Sequence, residues 1–65
     1  DLARVVAVQQ TVTVPAGTFT DCVAIEEWSP LDIRELVMKY FAPNAGMVLE
    51  VNLHTGERLE LIEVR

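Results

Sequence analysis

The fold is decided by the stretch 35-ELVMKYFAPNAGMVLEVNLHTGERLELIEV-64, an apolar run that two turn sequences divide into three segments. The first turn, at residues 42–46, contains a proline followed by a glycine, and the second, at residues 54–57, contains a glycine. Proline fixes φ at the start of a turn, and glycine accepts the positive φ that follows. The stretch therefore predicts three β-strands joined by hairpin turns, at residues 35–42, 46–54 and 58–64.

Alternation within these strands separates two faces, because successive side chains of a strand point to opposite sides of the sheet. One predicted face is almost wholly apolar, and its members are Leu36, Met38, Tyr40, Ala42, Met47, Leu49, Val51, Leu53, Leu59 and Leu61. The other face mixes charged residues with apolar ones instead of being cleanly polar, as the solvated face of an antiparallel sheet would be. The pattern therefore predicts that the second face is partly covered as well.

The upstream half of the chain adds two more strands, at residues 2–14 and 18–28, separated by a Val-Pro-Ala-Gly turn at residues 14–17. β-Branched residues occur throughout the first of these strands and favour the extended conformation. Asp21 beside Cys22 interrupts the alternation of the second strand and predicts a β-bulge there.

An irregular connector is predicted between the strands at residues 18–28 and 35–42, because Pro30 lacks the N–H that a strand ladder needs. The segment is too short to form a helix of its own. Three hairpin turns and this connector predict an all-β domain, a five-stranded antiparallel meander that forms a strongly twisted sheet or a half-barrel completed by self-association.

Length and composition describe one globular domain. Sixty-five residues bury only about 60% of the surface that the unfolded chain exposes, so a lone copy has marginal stability. The hydrophobic fraction of 51% excludes a disordered chain, and no apolar run approaches the roughly 20 residues of a membrane-spanning helix. The chain begins at Asp1, without a methionine or a signal peptide, which fits a processed form or a fragment of a longer domain.

Charge and cysteine content exclude further classes of protein. Ten acidic residues against five basic ones give a net charge of −5, which opposes binding to nucleic acid and to anionic lipid. The single cysteine, Cys22, cannot form an intrachain disulfide, so a disulfide-stapled scaffold is excluded.

Residues that could carry chemistry are few, and they do not form a recognisable motif. His54 and Cys22 are far apart in the chain and have no paired ligand spacing, so no metal or cofactor site is predicted. Glu26 and Glu27 are adjacent on a strand, which places them on opposite faces and excludes a catalytic carboxylate pair. The sequence predicts no enzyme. A thiol-dependent enzyme would require an accessible Cys22, whereas a lone cysteine in an apolar strand is more often a small buried hydrophobe.

A second apolar layer is predicted on the mixed face, where no helix of this chain is available to cover it. Its candidate interface residues are Val37, Phe41, Val48, Ile62, Val64 and Trp28. Exposed apolar patches of more than a few hundred Å² are rare in monomers. The layer therefore predicts a homo-oligomer, with a dimer as the first expectation. The alternative is a sheet that coils around its own apolar face as a small half-barrel.

The turn and strand sequences also carry a resemblance to a family. The segments VTVPAGTFTDCV at residues 12–23, KYFAPNAGMV at 39–48 and GERLEL at 56–61 resemble the C-terminal half of uncharacterised bacterial envelope and lipoprotein-like domains labelled TapB-like. The family has Gly-Val where this chain has Asn44-Ala45. The resemblance implies a half-barrel similar to the lipoprotein-carrier fold and a location in the periplasm or cell envelope. It also implies that two copies could replace the missing half of a barrel.

Two functions follow as hypotheses. The first is a non-catalytic β-sheet module of the bacterial envelope that binds or assembles, chiefly by self-association. The second is a carrier that holds a lipid or another apolar ligand on a concave face, lined by Leu36, Met38, Met47, Leu49, Val51 and Leu53.

Overall fold

A computed structural model describes residues 1–64 as a single antiparallel sheet. Its strands are β1 (Leu2–Val14), β2 (Gly17–Ser29), β3 (Asp32–Ala42), β4 (Gly46–Asn52) and β5 (Arg58–Glu60). They lie in the order of the chain, from β1 at one edge to β5 at the other, and the sheet does not close. The predicted all-β, five-stranded antiparallel meander is confirmed. Among the described residues, no helix is long and apolar enough to cross a membrane.

Turns lie near the proline and glycine positions that the sequence indicates. Gly46 and Gly56 have φ values of 76° and 79°, in the left-handed region where side chains are disfavoured. Asn52, at the end of β4, stabilises the loop between β4 and β5. Its side-chain amide oxygen accepts hydrogen bonds from the backbone N–H groups of His54, at 2.9 Å, and Thr55, at 3.0 Å. Such local bonding competes with the strand ladder and stops β4 before residue 53.

Three predicted boundaries were wrong. The connection between β2 and β3 is only Pro30 and Leu31, so no long connector exists, and β3 begins at Asp32. Residues 33–35 have no partners on β2, because the register jumps from Trp28↔Leu36 to Ser29↔Asp32. The irregularity that the sequence indicates is thus a looped-out segment within a strand. The last two strands are also shorter than predicted and end at Asn52 and Glu60.

β-Bulges bend the pairing of β1 with β2. The predicted bulge near Asp21 is confirmed, since residues 20 and 21 of β2 lie opposite Thr11 alone and Asp21 has a φ of 61°. Two further bulges, which the sequence analysis did not predict, lie on β1. Val6 is an extra residue in the ladder, and Val8 with Gln9 lies opposite a single residue of β2. Gln9 has a φ of 56°, which is uncommon for a residue of this kind.

A bulge on β4 changes the predicted faces of the sheet. Tyr40 pairs with Leu49 but Phe41 pairs with Met47, so Val48 is the extra residue. An insertion of one residue moves the side chains beyond it to the opposite face. Met47 therefore shares a face with Phe41, contrary to prediction, and Val48 is 1% exposed in the core instead of lying in the second apolar layer. Leu59 pairs with Glu50 and also lies on the face opposite to the predicted one.

The hydrophobic core lies at one end of the sheet. Its buried members are Val12, Val14, Cys22, Ala42, Val48 and Leu49, with Phe19, Tyr40, Val51 and Leu61 packed against them. The turn between β1 and β2 reaches the segment that follows β5, where the Ala16 N–H donates to the Leu61 carbonyl oxygen at 3.0 Å. The sheet therefore curls over its apolar face at this end while remaining open.

Candidate interaction surface

The first half of β1 is an exposed apolar edge. β1 is the first strand of the sheet and pairs only with β2 there. Leu2, Val5, Val6 and Val8 are 49%, 59%, 43% and 57% exposed, whereas Val12 and Val14, on the same strand, are buried in the core. We call residues 2–8 the β1 edge. Its apolar side chains have no covering layer among the described residues.

The sequence sets this edge apart by its lack of charge. Residues 5–20 contain no charged side chain, and Arg4 is the only one within β1. Charged side chains, lysine above all, and proline on an edge strand ordinarily discourage pairing with another chain. At the opposite edge, β5 has only three residues, and Arg58 forms an ion pair with Glu60 at 3.0 Å. The two edges of the sheet therefore differ in how well they are protected.

The six predicted interface residues do not form one surface. Val37 and Phe41 are half-buried and share a face of β3, while Trp28 pairs with Leu36 and lies on the other side of the sheet. The core position of Val48 removes that residue from any exposed patch. Ile62 and Val64 are exposed but follow the last strand.

An ion-pair cluster interrupts the predicted second apolar layer. The Lys39 ammonium group lies 2.9 Å from a carboxylate oxygen of Glu27 and 3.9 Å from one of Glu50. All three side chains are about one-quarter to one-third exposed. The face that contains Val37 and Phe41 is therefore charged at its centre. This cluster is not visible in the sequence, because it depends on the cross-strand register, in which Lys39 lies directly opposite Glu50.

A surface depression lies on the other face, at the end of the sheet away from the core. It has a volume of about 380 Å³, and its lining includes Trp28, Ile33, Leu36, His54 and Arg4. The Arg4 guanidinium lies 5.7 Å from the centre of the Trp28 ring. It also lies 3.0 Å from a carboxylate oxygen of Glu26. The lining of the depression thus combines apolar side chains with charged ones.

The predicted carrier lining is only partly assembled: Met38 and Val51 are directly opposed and share a face with Leu36 and Leu49, but two members of the set are not available to a ligand. Leu49 is buried within the core, and Met47 lies on the opposite face beside Phe41. Of the six predicted lining residues, Leu36 alone contacts the depression. The bulge at Val48 is the physical reason for the displacement of Met47, because it separates the alternation of β4 into two registers.

Cys22 and His54 lie in contrasting environments. The Cys22 side chain is fully buried, and its thiol lies 3.5 Å from the Phe19 carbonyl oxygen. Burial, and secondarily the nearby Asp21 carboxylate, raises the pKa of this thiol above its ordinary value. His54 is exposed in the loop between β4 and β5. Within residues 1–64, no three histidine, cysteine or carboxylate groups come together in a metal-binding arrangement.

Comparisons of the chain with protein-family models, with curated proteins and with solved structures found no match. The resemblance to TapB-like domains accordingly stays a prediction from the turn and strand sequences. The surface just described, above all the β1 edge, is therefore the basis for a proposed function.

Proposed function

We propose that the protein is a non-catalytic β-sheet module that assembles by self-association, with the dimer as its basic unit. The observation that carries this proposal is the one-sided distribution of apolar residues. The core is confined to the end of the sheet near Val14 and Ala42, while Leu2, Val5 and Val8, on the same sheet, remain about half exposed. Association covers these side chains and removes their apolar surface from water.

The required contact is small relative to the molecule. A specific interface buries at least about 1,000 Å² in total, or about 500 Å² on each copy. The described residues expose 4638 Å². About one-ninth of this surface is enough for such an interface. The β1 edge, together with the neighbouring Trp28 and Leu31, provides an apolar region that can form the contact. A contact of this minimum size favours a dimer that dissociates on dilution.

The biological setting that we propose is the bacterial cell envelope. It is supported by the resemblance of the turn and strand sequences to envelope and lipoprotein-like domains. The net charge of −5 opposes attachment to anionic lipid head groups, so within that setting the module acts through protein contacts.

Sedimentation equilibrium across a range of protein concentrations tests the proposal. Wild-type protein is expected to form dimers at micromolar concentration, and Val5→Glu is expected to stay monomeric because it introduces like charges at the contact. Leu59→Glu is the matched control, since Leu59 is also exposed, at 64%, and the variant has the same net charge. Wild-type protein that remains monomeric throughout this range would refute self-association.

A second candidate function, the carrier, is favoured by the depression beside Trp28. Its volume of about 380 Å³ lies within the roughly 300–1,000 Å³ that is common for small-molecule sites. Trp28 is the only tryptophan of the chain and reports directly on this region. Titration with a fatty acid is expected to change its fluorescence in wild-type protein, and Ile33→Glu is expected to abolish the change. An unchanged spectrum at saturating fatty acid would exclude the carrier.

A further inference from the structure

We propose that the depression beside Trp28 binds amphiphilic cations, which are molecules with an apolar body and one positively charged group, in preference to fatty acids and other amphiphilic anions. This inference rests on the second candidate function, the carrier, and specifies the chemical class of its ligand. The residues that determine the preference are Arg4, Glu26 and Glu35.

The apolar body of the ligand contacts the hairpin formed by β2 and β3. Trp28 and Leu36 pair directly across these two strands, and both are half-buried. Ile33 belongs to the segment without partners on β2 and is 85% exposed. All three line the depression of about 380 Å³. A ligand that covers them removes their apolar surface from water, which contributes affinity without selecting a charge.

The charge of the lining selects a cation. The lining contains one arginine, Arg4, and two carboxylates, Glu26 and Glu35, so negative charge is in excess. Arg4 and Glu26 neutralise each other, because the Nε and Nη2 atoms of Arg4 lie 3.1 and 3.0 Å from the same carboxylate oxygen of Glu26. Glu35 forms no ion pair with any arginine or lysine within residues 1–64. The excess charge is therefore that of Glu35.

The surroundings of Glu35 do not offset its charge. Arg34, the preceding residue, donates hydrogen bonds from Nε and Nη2 to the two carboxylate oxygens of Asp32, at 3.1 and 3.2 Å. Glu35 and Trp28 also line a second depression, of about 230 Å³, whose described lining includes Glu27 but no arginine or lysine. The potential around the Glu35 carboxylate is thus negative, which attracts the positively charged group of a ligand.

An anionic ligand has only one positive partner in the lining, Arg4. An anion that pairs with Arg4 either displaces the Glu26 carboxylate or lies beside it, and in both cases two negative charges come close together. Arg4 is also held by Trp28, since its guanidinium lies 5.7 Å from the centre of the indole ring. Both contacts oppose the exchange of Glu26 for an anion.

Octylammonium, octanol and octanoate test this preference, because they share one apolar chain and differ in the charge of the head group. Binding is followed by Trp28 fluorescence and by the NMR shift of its indole N–H, at concentrations where the probes do not aggregate. Contact with an exposed carboxylate changes an affinity by up to about fivefold. Octylammonium is therefore expected to bind up to about fivefold more tightly than octanol, and octanoate more weakly than octanol. High salt should reduce these differences.

Glu35→Gln is expected to remove the preference for octylammonium over octanol. Its affinity for octanol should stay unchanged, which also shows that the variant is folded. Glu57→Gln is the matched control, since Glu57 is exposed, lines a different depression, and loses the same charge on substitution. This variant is expected to keep the preference.

The outcomes separate this inference from the carrier itself. Tighter binding of octylammonium that depends on Glu35 supports a ligand that is an amphiphilic cation. Octanoate that binds as tightly as octylammonium, or a preference that survives in Glu35→Gln, leaves the carrier intact but overturns the inference. No response to any of the three probes overturns both.

Discussion

Substitution of Val48 by alanine tests the largest disagreement between the sequence pattern and the structure. The pattern places Val48 in an exposed layer, whereas the structure places it in the core at 1% exposure. Val48→Ala removes two methyl groups, which contribute about 1.6 kcal/mol at about 0.8 kcal/mol each. A residual cavity of about 50 Å³ adds about 1.2 kcal/mol. The free energy of unfolding should therefore fall by about 1.5–3 kcal/mol, a large part of the roughly 3–10 kcal/mol expected for 65 residues.

Urea denaturation followed by Trp28 fluorescence measures this loss, at a protein concentration low enough to keep the chain monomeric. Val8→Ala is the same chemical deletion at a 57% exposed strand position, and Ile62→Ala changes a 75% exposed member of the predicted layer. Each control is expected to cost less than about 1 kcal/mol, because little apolar area returns to water. Equal losses for Val48→Ala and Val8→Ala would refute the core position of Val48.

Three further predictions concern backbone strain, charge and the thiol. Gln9→Gly should leave the free energy of unfolding unchanged or raise it by up to about 1 kcal/mol, because glycine adopts a φ of 56° without steric cost. Gln10→Gly, the control, should lower the free energy of unfolding by about 0.5–1 kcal/mol. A loss at Gln9 as large as that at Gln10 would contradict the strain. Lys39→Met should lower the free energy of unfolding by about 1 kcal/mol, since the two carboxylate partners of Lys39 then repel each other. This loss should become smaller in high salt. A loss that does not depend on salt would indicate an effect on packing instead. Cys22 should react with a thiol reagent only on unfolding. Because its folded pKa is raised, stability should be full below the ordinary thiol pKa and decline as pH rises above it, a decline that Cys22→Ala should remove. Rapid labelling of the native thiol would contradict its burial.

Strand number and order were predictable because they depend on local chemistry. The prolines and glycines near residues 15, 43 and 56 determine where the chain turns, and alternation identifies the strands between them. The faces were less predictable. One inserted residue at Val48 reverses the alternation beyond it, and nothing in the local sequence distinguishes that valine from its neighbours. The looped-out residues 33–35 were recognised as irregular, but their place within a strand depends on the tertiary pairing of Ser29 with Asp32.

The candidate surface could be predicted only in part from the sequence. A meander leaves its first strand at an edge, and the uncharged run from residue 5 to 20 can be seen without coordinates. The depth of the core cannot be seen in the sequence, because the curl that buries Val12 and Val14 depends on bulges and on the hydrogen bond from Ala16 to Leu61. Sequence reasoning accordingly placed the interface on the second face, where the structure instead has Lys39 between two carboxylates.

The difference between the two edges also determines what kind of assembly the sheet can form. A sheet with two unprotected edges can add copies without limit, which leads to fibres. Here β1 spans thirteen residues and carries Arg4 as its one charged side chain, whereas β5 spans three residues and includes Arg58 and Glu60. The proposed self-association through the β1 edge would use the same surface on both copies and leave the short charged edges exposed. Under this proposal the assembly would end at two copies. Removal of the charges at Arg58 and Glu60 would take away that limit.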